Sequence, residues 1–155
     1  MAIRQVKEVN RSQSYPIASG NIVGGMVLAL DTTPALSPWS HLVTTGQPFG
    51  LAIESNVFFP LQPANGEVAG QGFDYTNFNR GGLESVYNNG GDFVIYDDGR
   101  GLPVDAGSYV VNQPVYASTA VDGNLAASGS IVVGYVVQAL PTATNPTSLE
   151  IKSII

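Results

Sequence analysis

Apolar residues in this chain come in short runs, and glycine or proline interrupts almost every one of them. The last third is the clearest example. Val115-Tyr116-Ala117-Ser118, Ile131-Val132-Val133-Gly134-Tyr135-Val136-Val137 and Leu149-Glu150-Ile151 are β-branched or aromatic runs separated by turn residues. At the terminus Leu149, Ile151, Ser153 and Ile155 share one face of an extended segment, while Glu150, Lys152 and Ile154 share the other. Further runs predict strands at Met26–Leu30, Gly50–Ile53, Phe93–Tyr96, Tyr109–Val111 and Pro114–Ala117. Asn65-Gly66, Asn89-Gly90, Asp98-Gly99 and Asp122-Gly123 are tight-turn dipeptides, because both residues of such a pair tolerate positive φ.

Helical periodicity is thin. Ile3, Val6 and Val9 are spaced by three, but nothing extends the pattern and Pro16 follows, so residues 1–17 are expected to be an extended arm. Asp31 to His41, with Pro34 and Pro38, reads as a loop. The expected fold is all-β: a small β-barrel or β-tulip-like domain over 18–155, with an irregular insertion at about 55–92. That insertion interleaves asparagine and glycine with Phe58, Phe59, Phe73, Tyr75, Phe78 and Tyr87, which makes it the expected oligomer contact or outward surface. A faint internal echo flanks it. Val27-Leu28-Ala29 precedes Gly50-Leu51-Ala52-Ile53, as Val115-Tyr116-Ala117 precedes Gly134-Tyr135-Val136-Val137.

Composition narrows the possible functions. The chain has 155 residues, enough for one domain with a real core and no need of disulfides, and it contains no cysteine. Charged residues are 12% of the total, about half the usual share, as suits a chain that packs against partners. A net charge of −6 argues against nucleic acid as a partner. Arg4, Lys7 and Arg11 are half of the six cations and form a basic N-terminal patch, suited to an acidic partner surface. No membrane span is expected, because the apolar run from Ile22 to Leu30 is far short of the roughly 20 residues a span needs. Met1 to Arg4 is not followed by the apolar region of a signal peptide.

Candidate chemistry is sparse. Val27 to Thr33 runs apolar residues into Asp31-Thr32, like the active-site strand of retroviral-type aspartic proteases. Thr33 and Pro34 stand where that motif needs a small residue, so Asp31 reads better as the cap of a turn. Trp39-Ser40-His41 holds the single tryptophan and the single histidine, and adjacent Ser40 and His41 do not make a triad. One histidine without cysteine is a poor zinc set. Asp97-Asp98-Gly99-Arg100 has too few oxygen ligands for calcium and reads as a turn. Pieces similar to the motifs of trimeric dUTP-hydrolysing enzymes, Arg80-Gly81-Gly82 and Asp74-Tyr75, occur in the wrong order and spacing. The expectation is a chain that is not an enzyme and has no cofactor or metal.

The order of motifs from Tyr109 to Ile155 resembles the C-terminal part of small decoration (cement) proteins of tailed-bacteriophage capsids. It comprises Gln113-Pro114-Val115-Tyr116-Ala117, then Asp122-Gly123-Asn124-Leu125, Val133-Gly134-Tyr135-Val136 and Leu149-Glu150-Ile151-Lys152. Met26-Val27-Leu28-Ala29 and Gly50-Leu51-Ala52-Ile53 fit more loosely, and together the matches cover about half the chain. The resemblance implies a structural virion protein that is assembled in the host cytoplasm and binds the outer surface of the expanded shell. Such a protein bridges neighbouring major capsid proteins, often as a homotrimer. Arg4, Lys7 and Arg11 would then contact acidic capsid surface, with Tyr15, Pro16 and Ile17 anchoring the arm at that contact. The alternative is a receptor- or carbohydrate-binding virion module, such as a knob or fibre head.

Overall fold

The structure is a computed structural model that describes residues 3–5, 12–18, 21–42, 47–55 and 83–155. These residues form eleven strands and no helix: β1 (Ile3–Gln5), β2 (Ser12–Pro16), β3 (Val27–Leu30), β4 (Leu36–Pro38), β5 (Gly50–Ala52), β6 (Leu83–Tyr87), β7 (Gly91–Tyr96), β8 (Pro114–Ala117), β9 (Leu125–Ala126), β10 (Val132–Leu140) and β11 (Ser148–Ser153). The protein is all-β. Six strands make one sheet in the order β1-β7-β11-β10-β8-β9, and five make the other in the order β2-β6-β5-β3-β4. Every ladder between these strands is antiparallel.

The two sheets bury different amounts of themselves. The six-stranded sheet alternates: Val115 and Ala117 on β8, and Leu149 and Ile151 on β11, are buried, while their neighbours face outward. The five-stranded sheet is buried on both faces. Val27 and Leu51 join Phe93, Ile95, Val115, Val133, Leu149 and Ile151 in the core between the sheets. Leu28, Ala52 and Val86 point the other way, into a second core with Ile17, Ile22 and Leu36. Covering that second face requires the sheet to curl. Ile17, just past β2 at one edge, bridges to Leu36 of β4 at the opposite edge, and the Ala18 amide donates to the Leu36 carbonyl at 2.7 Å. The strand ladder itself does not close, so the expected barrel takes the form of an open, curled sheet packed on a second sheet.

Both termini of the sequence pattern find their place in the sheets. β1 pairs with β7 and β2 with β6, so the described parts of 1–17 are extended and serve as edge strands. Of the region 55–92, residues 83–92 are integral to the fold: β6 lies inside the five-stranded sheet, and the chain crosses at Asn89-Gly90 to begin β7 in the other. Tyr87 is therefore not an outward contact. Its ring stacks on Phe93 with centroids 4.8 Å apart, across the inter-sheet core.

Two local expectations are corrected. Tyr109–Val111 is not a strand. Tyr109 is buried in the core between the sheets, while Val110 and Val111 project outward from a turn. Within the expected loop 31–41, β4 forms at the sheet edge, where Pro38 needs no ladder partner for its missing amide hydrogen.

The internal echo corresponds to matching strand pairs. Gly50 of β5 faces Leu28 of β3, and Gly134 of β10 faces Val115 of β8. A Cβ on Gly50 would lie 2.5 Å from the Tyr87 carbonyl oxygen, and one on Gly134 would lie 2.5 Å from that of Lys152. Each glycine lets its strand press against the third strand of its sheet, β6 or β11. Gly50→Ala and Gly134→Ala are each expected to lower unfolding free energy by about 1–3 kcal/mol, measured by denaturant titration. Unchanged midpoints would contradict the close approach.

Candidate functional site

Three of the carboxylates that the sequence offers for chemistry, Asp31, Asp97 and Asp98, are occupied by turns, while Asp74, Tyr75 and Arg80 lie outside the described residues. Asp31 Oδ1 accepts hydrogen bonds from the Thr33 amide at 2.8 Å, the Thr33 hydroxyl at 2.6 Å and the Ala35 amide at 2.8 Å, which closes the connection from β3 to β4. Asp97 Oδ1 accepts from the amides of Gly99 and Gly101, at 2.8 and 2.9 Å. Asp98 accepts from the Arg100 amide at 3.1 Å and from the Ser55 hydroxyl at 2.6 Å, tying the loop after β7 to the end of β5. Among the described residues no group of histidine, cysteine and carboxylate side chains is arranged to hold a metal ion. No described helix is long and apolar enough to cross a membrane.

A half-buried polar knot sets the position of the turn between β8 and β9. The carboxylate of Asp105 accepts from Asn124 Nδ2 at 2.8 Å and from the Ser118 hydroxyl. Ser118 Oγ in turn accepts from the amides of Ala120 and Val121, both at 3.0 Å. The Tyr109 hydroxyl donates to the Asp105 carbonyl at 2.6 Å. Burial, and secondarily the negative charge of Asp105, pushes the Tyr109 phenol well above its ordinary range. The turn so fixed reaches across to the other sheet. Gly123 donates to the Trp39 carbonyl and accepts from the Val27 amide, both at 2.8 Å, while the indole of Trp39 lies in the inter-sheet core.

Where this turn meets the β4 region there is an open groove of about 750 Å³. Ala120, Val121 and Asp122 form one lip, and Ser40, His41 and Leu42 the other. Leu42 and Val121 are exposed large apolar side chains. Val110, Val111, Tyr135, Val137, Leu140 and Ile154 are the other exposed large apolar residues among those described, and they lie away from this groove, on or beside the outer face of the six-stranded sheet. Val137 follows buried Val136 and faces outward with Tyr135; the register of β10 then slips against β11 between Val136 and Gln138, so that Gln138 and Leu140 face outward as well. Between residues 106 and 149 the only charged residue is Asp122, which lines the groove, so the β8 and β10 side of the sheet is uncharged.

The expected contact residues fall in several places. Arg4 sits in β1 opposite Val94. Lys7, Arg11, Phe58, Phe59, Phe73, Tyr75 and Phe78 lie outside the described residues. Pro16 is exposed, and Tyr15 makes an edge-to-face contact with Phe49 at 5.5 Å. Ile17 is completely buried in the second core. The segment is thus anchored on its own domain, and burial removes Ile17 as a surface contact. Sequence reasoning missed Leu42, Val121 and Val137. The long charge-free stretch from 123 to 149 was the available signal for Val137, whereas Leu42 and Val121 meet only through the fold.

The Tyr109 shift has a definite sign. The unfolded phenol ionises near pH 10, while the folded one resists ionisation, so the unfolded state loses its proton first. The stabilisation is complete below about pH 10 and is lost as pH rises beyond it. Thermal melts should show the wild type losing stability more steeply above about pH 10 than Tyr109→Phe, and equal slopes would contradict the assignment. In comparisons with known proteins, no family model, curated protein or solved structure matches this chain.

Proposed function

We propose that this chain is a structural virion protein: a capsid decoration protein that binds the outer surface of the expanded shell and bridges neighbouring major capsid proteins. The reading joins the order of motifs from Tyr109 to Ile155 with one structural observation. The exposed apolar side chains of the described residues occupy two separate regions, the seam groove and the outer face of the six-stranded sheet. A bridging protein needs at least two contact surfaces, and contacts that are modest singly become tenacious when engaged together. In this reading Leu42 and Val121 at the seam groove meet the capsid protein, and the chain works as a homo-oligomer, with a trimer favoured. The carboxylates of Asp31, Asp97, Asp98 and Asp105 serve turns, which fits a structural role.

The seam groove also supports a second reading, a carbohydrate- or receptor-binding module. Its lining includes the amide of Asn21, the hydroxyls of Ser37 and Ser40, the imidazole of His41 and the carboxylate of Asp122, which are groups that hydrogen-bond sugars.

Co-sedimentation with expanded, undecorated capsids of the source virus separates the two. Saturable binding that Leu42→Glu or Val121→Glu weakens by at least about tenfold is expected, since each puts an unpaired carboxylate into a contact from which water is excluded. Absence of binding at saturating protein, together with glycan binding that the same substitutions abolish, would replace the decoration reading with the second.

A further inference from the structure

We propose that Met26 is a modification site: a peroxide oxidises its thioether to the sulfoxide, and the sulfoxide loosens the junction between the two sheets. The site belongs to the seam itself and is the same whichever partner the groove takes.

Sulfur is scarce in this chain. It has no cysteine and two methionines, Met1 and Met26, so oxidisable sulfur is confined to two thioethers. Met1 lies outside the described residues. Met26 immediately precedes β3, is half-buried, and lines the open groove at the seam. A small uncharged oxidant such as hydrogen peroxide therefore meets it without any unfolding of the chain. A lone pair of Sδ attacks one peroxide oxygen, the S–O bond forms as the O–O bond breaks, and the proton of the transferred hydroxyl passes to the departing hydroxide. Sulfur is oxidised by two electrons and the peroxide is reduced to water. A methionine sulfoxide reductase supplied with a dithiol reverses the change: the dithiol becomes a disulfide and the oxygen leaves as water.

The surroundings of the sulfur give the modification its consequence. Sδ accepts a hydrogen bond from the Val23 amide at 3.3 Å, and the Met26 amide donates back to the Val23 carbonyl at 3.0 Å. The thioether also packs against the seam turn, since a Cβ built on Gly123 would lie 3.0 Å from Sδ and 3.2 Å from Met26 Cγ. Gly123 is the residue that ties the sheets together, through the Trp39 carbonyl and the Val27 amide. No oxygen atom fits between Sδ and the Val23 nitrogen at this separation, and the Gly123 contact has no room for one either. A sulfoxide oxygen is strongly polar and costs free energy where it has no donor. The side chain must turn toward the groove to reach water, and in turning it gives up the Val23 bond and its packing on Gly123.

Hydrogen peroxide treatment of the purified full chain tests this, with peptide mass, thermal midpoint and tryptophan emission as readouts. Trp39 is the single tryptophan, is buried, and accepts the Gly123 amide on its carbonyl, so its emission reports on the junction. In the folded protein the peptide containing Met26 should gain one oxygen, the midpoint should fall by at least about 2 °C, and the emission should move to longer wavelength. Reductase treatment should restore all three. Met26→Leu, a swap of similar volume, should show no change in midpoint or emission under the same peroxide. A Met26 that stays unoxidised in the folded chain, at a dose that converts it fully in the urea-unfolded chain, overturns the proposal. So does a sulfoxide that leaves midpoint and emission where they were. An equal response from Met26→Leu would place the damage elsewhere and overturn it as well.

Discussion

Val27 and Leu28 are adjacent in the chain, completely buried, and belong to different cores. That constraint organises the molecule. A strand that is apolar on both sides cannot sit at a surface, so the five-stranded sheet needs cover on each face. The six-stranded sheet supplies one cover through Phe93, Ile95, Leu149 and Ile151. On the other face the sheet must cover itself, and it does so by curling until Ile17 beside β2 reaches Leu36 of β4. Each fully buried apolar side chain contributes about 1.5–3 kcal/mol relative to exposure, so the two cores together supply a stability that a chain without disulfides could not draw from one flat sheet.

The surfaces follow from how the two sheets are joined. Asp105, Ser118, Asn124 and Tyr109 fix the turn from which Gly123 bonds to Trp39 and Val27 on the other sheet. A Cβ at Gly123, where φ is +80°, would lie 3.0 Å from Met26 Sδ and from Pro38 Cβ, so the turn can reach this close only as glycine. The same junction opens the groove between Leu42 and Val121. Carboxylates are drawn into the loops that need capping, at Asp31, Asp97, Asp98 and Asp105, and this leaves the outside of β10 free of charge.

Period-two patterning made much of the fold legible before any coordinates. β3, β5, β8, β10 and β11 stand within two or three residues of where their apolar runs placed them, and the glycines of Asn89-Gly90, Asp98-Gly99 and Asp122-Gly123 all adopt positive φ. Asp31 caps its turn as its position before Thr-Thr-Pro predicts. The misses have physical causes. β2, with Ser12, Gln13 and Ser14, has no apolar alternation in its sequence and is held by pairing with β6, while β6 buries Val86 in the second core but sets the polar Glu84 on the same buried side, which obscures its pattern. Tyr109–Val111 has strand composition, but a turn holds it through backbone bonds to Ala143 and Gln113. Neither the groove nor the uncharged face could be read from a local motif. Leu42 and Val121 lie far apart in the chain and meet only when the sheets pack, and no residue preference announces the bulge after Val136 that brings Gln138 and Leu140 to the outer face.

Cryo-electron microscopy of expanded, undecorated capsids incubated with the purified protein is the most direct test of whether surfaces, and not a catalytic centre, carry the function. Added density at symmetry-related positions, with the seam groove against the shell, is the result that the proposed decoration role predicts. Bare shells at saturating protein would contradict it.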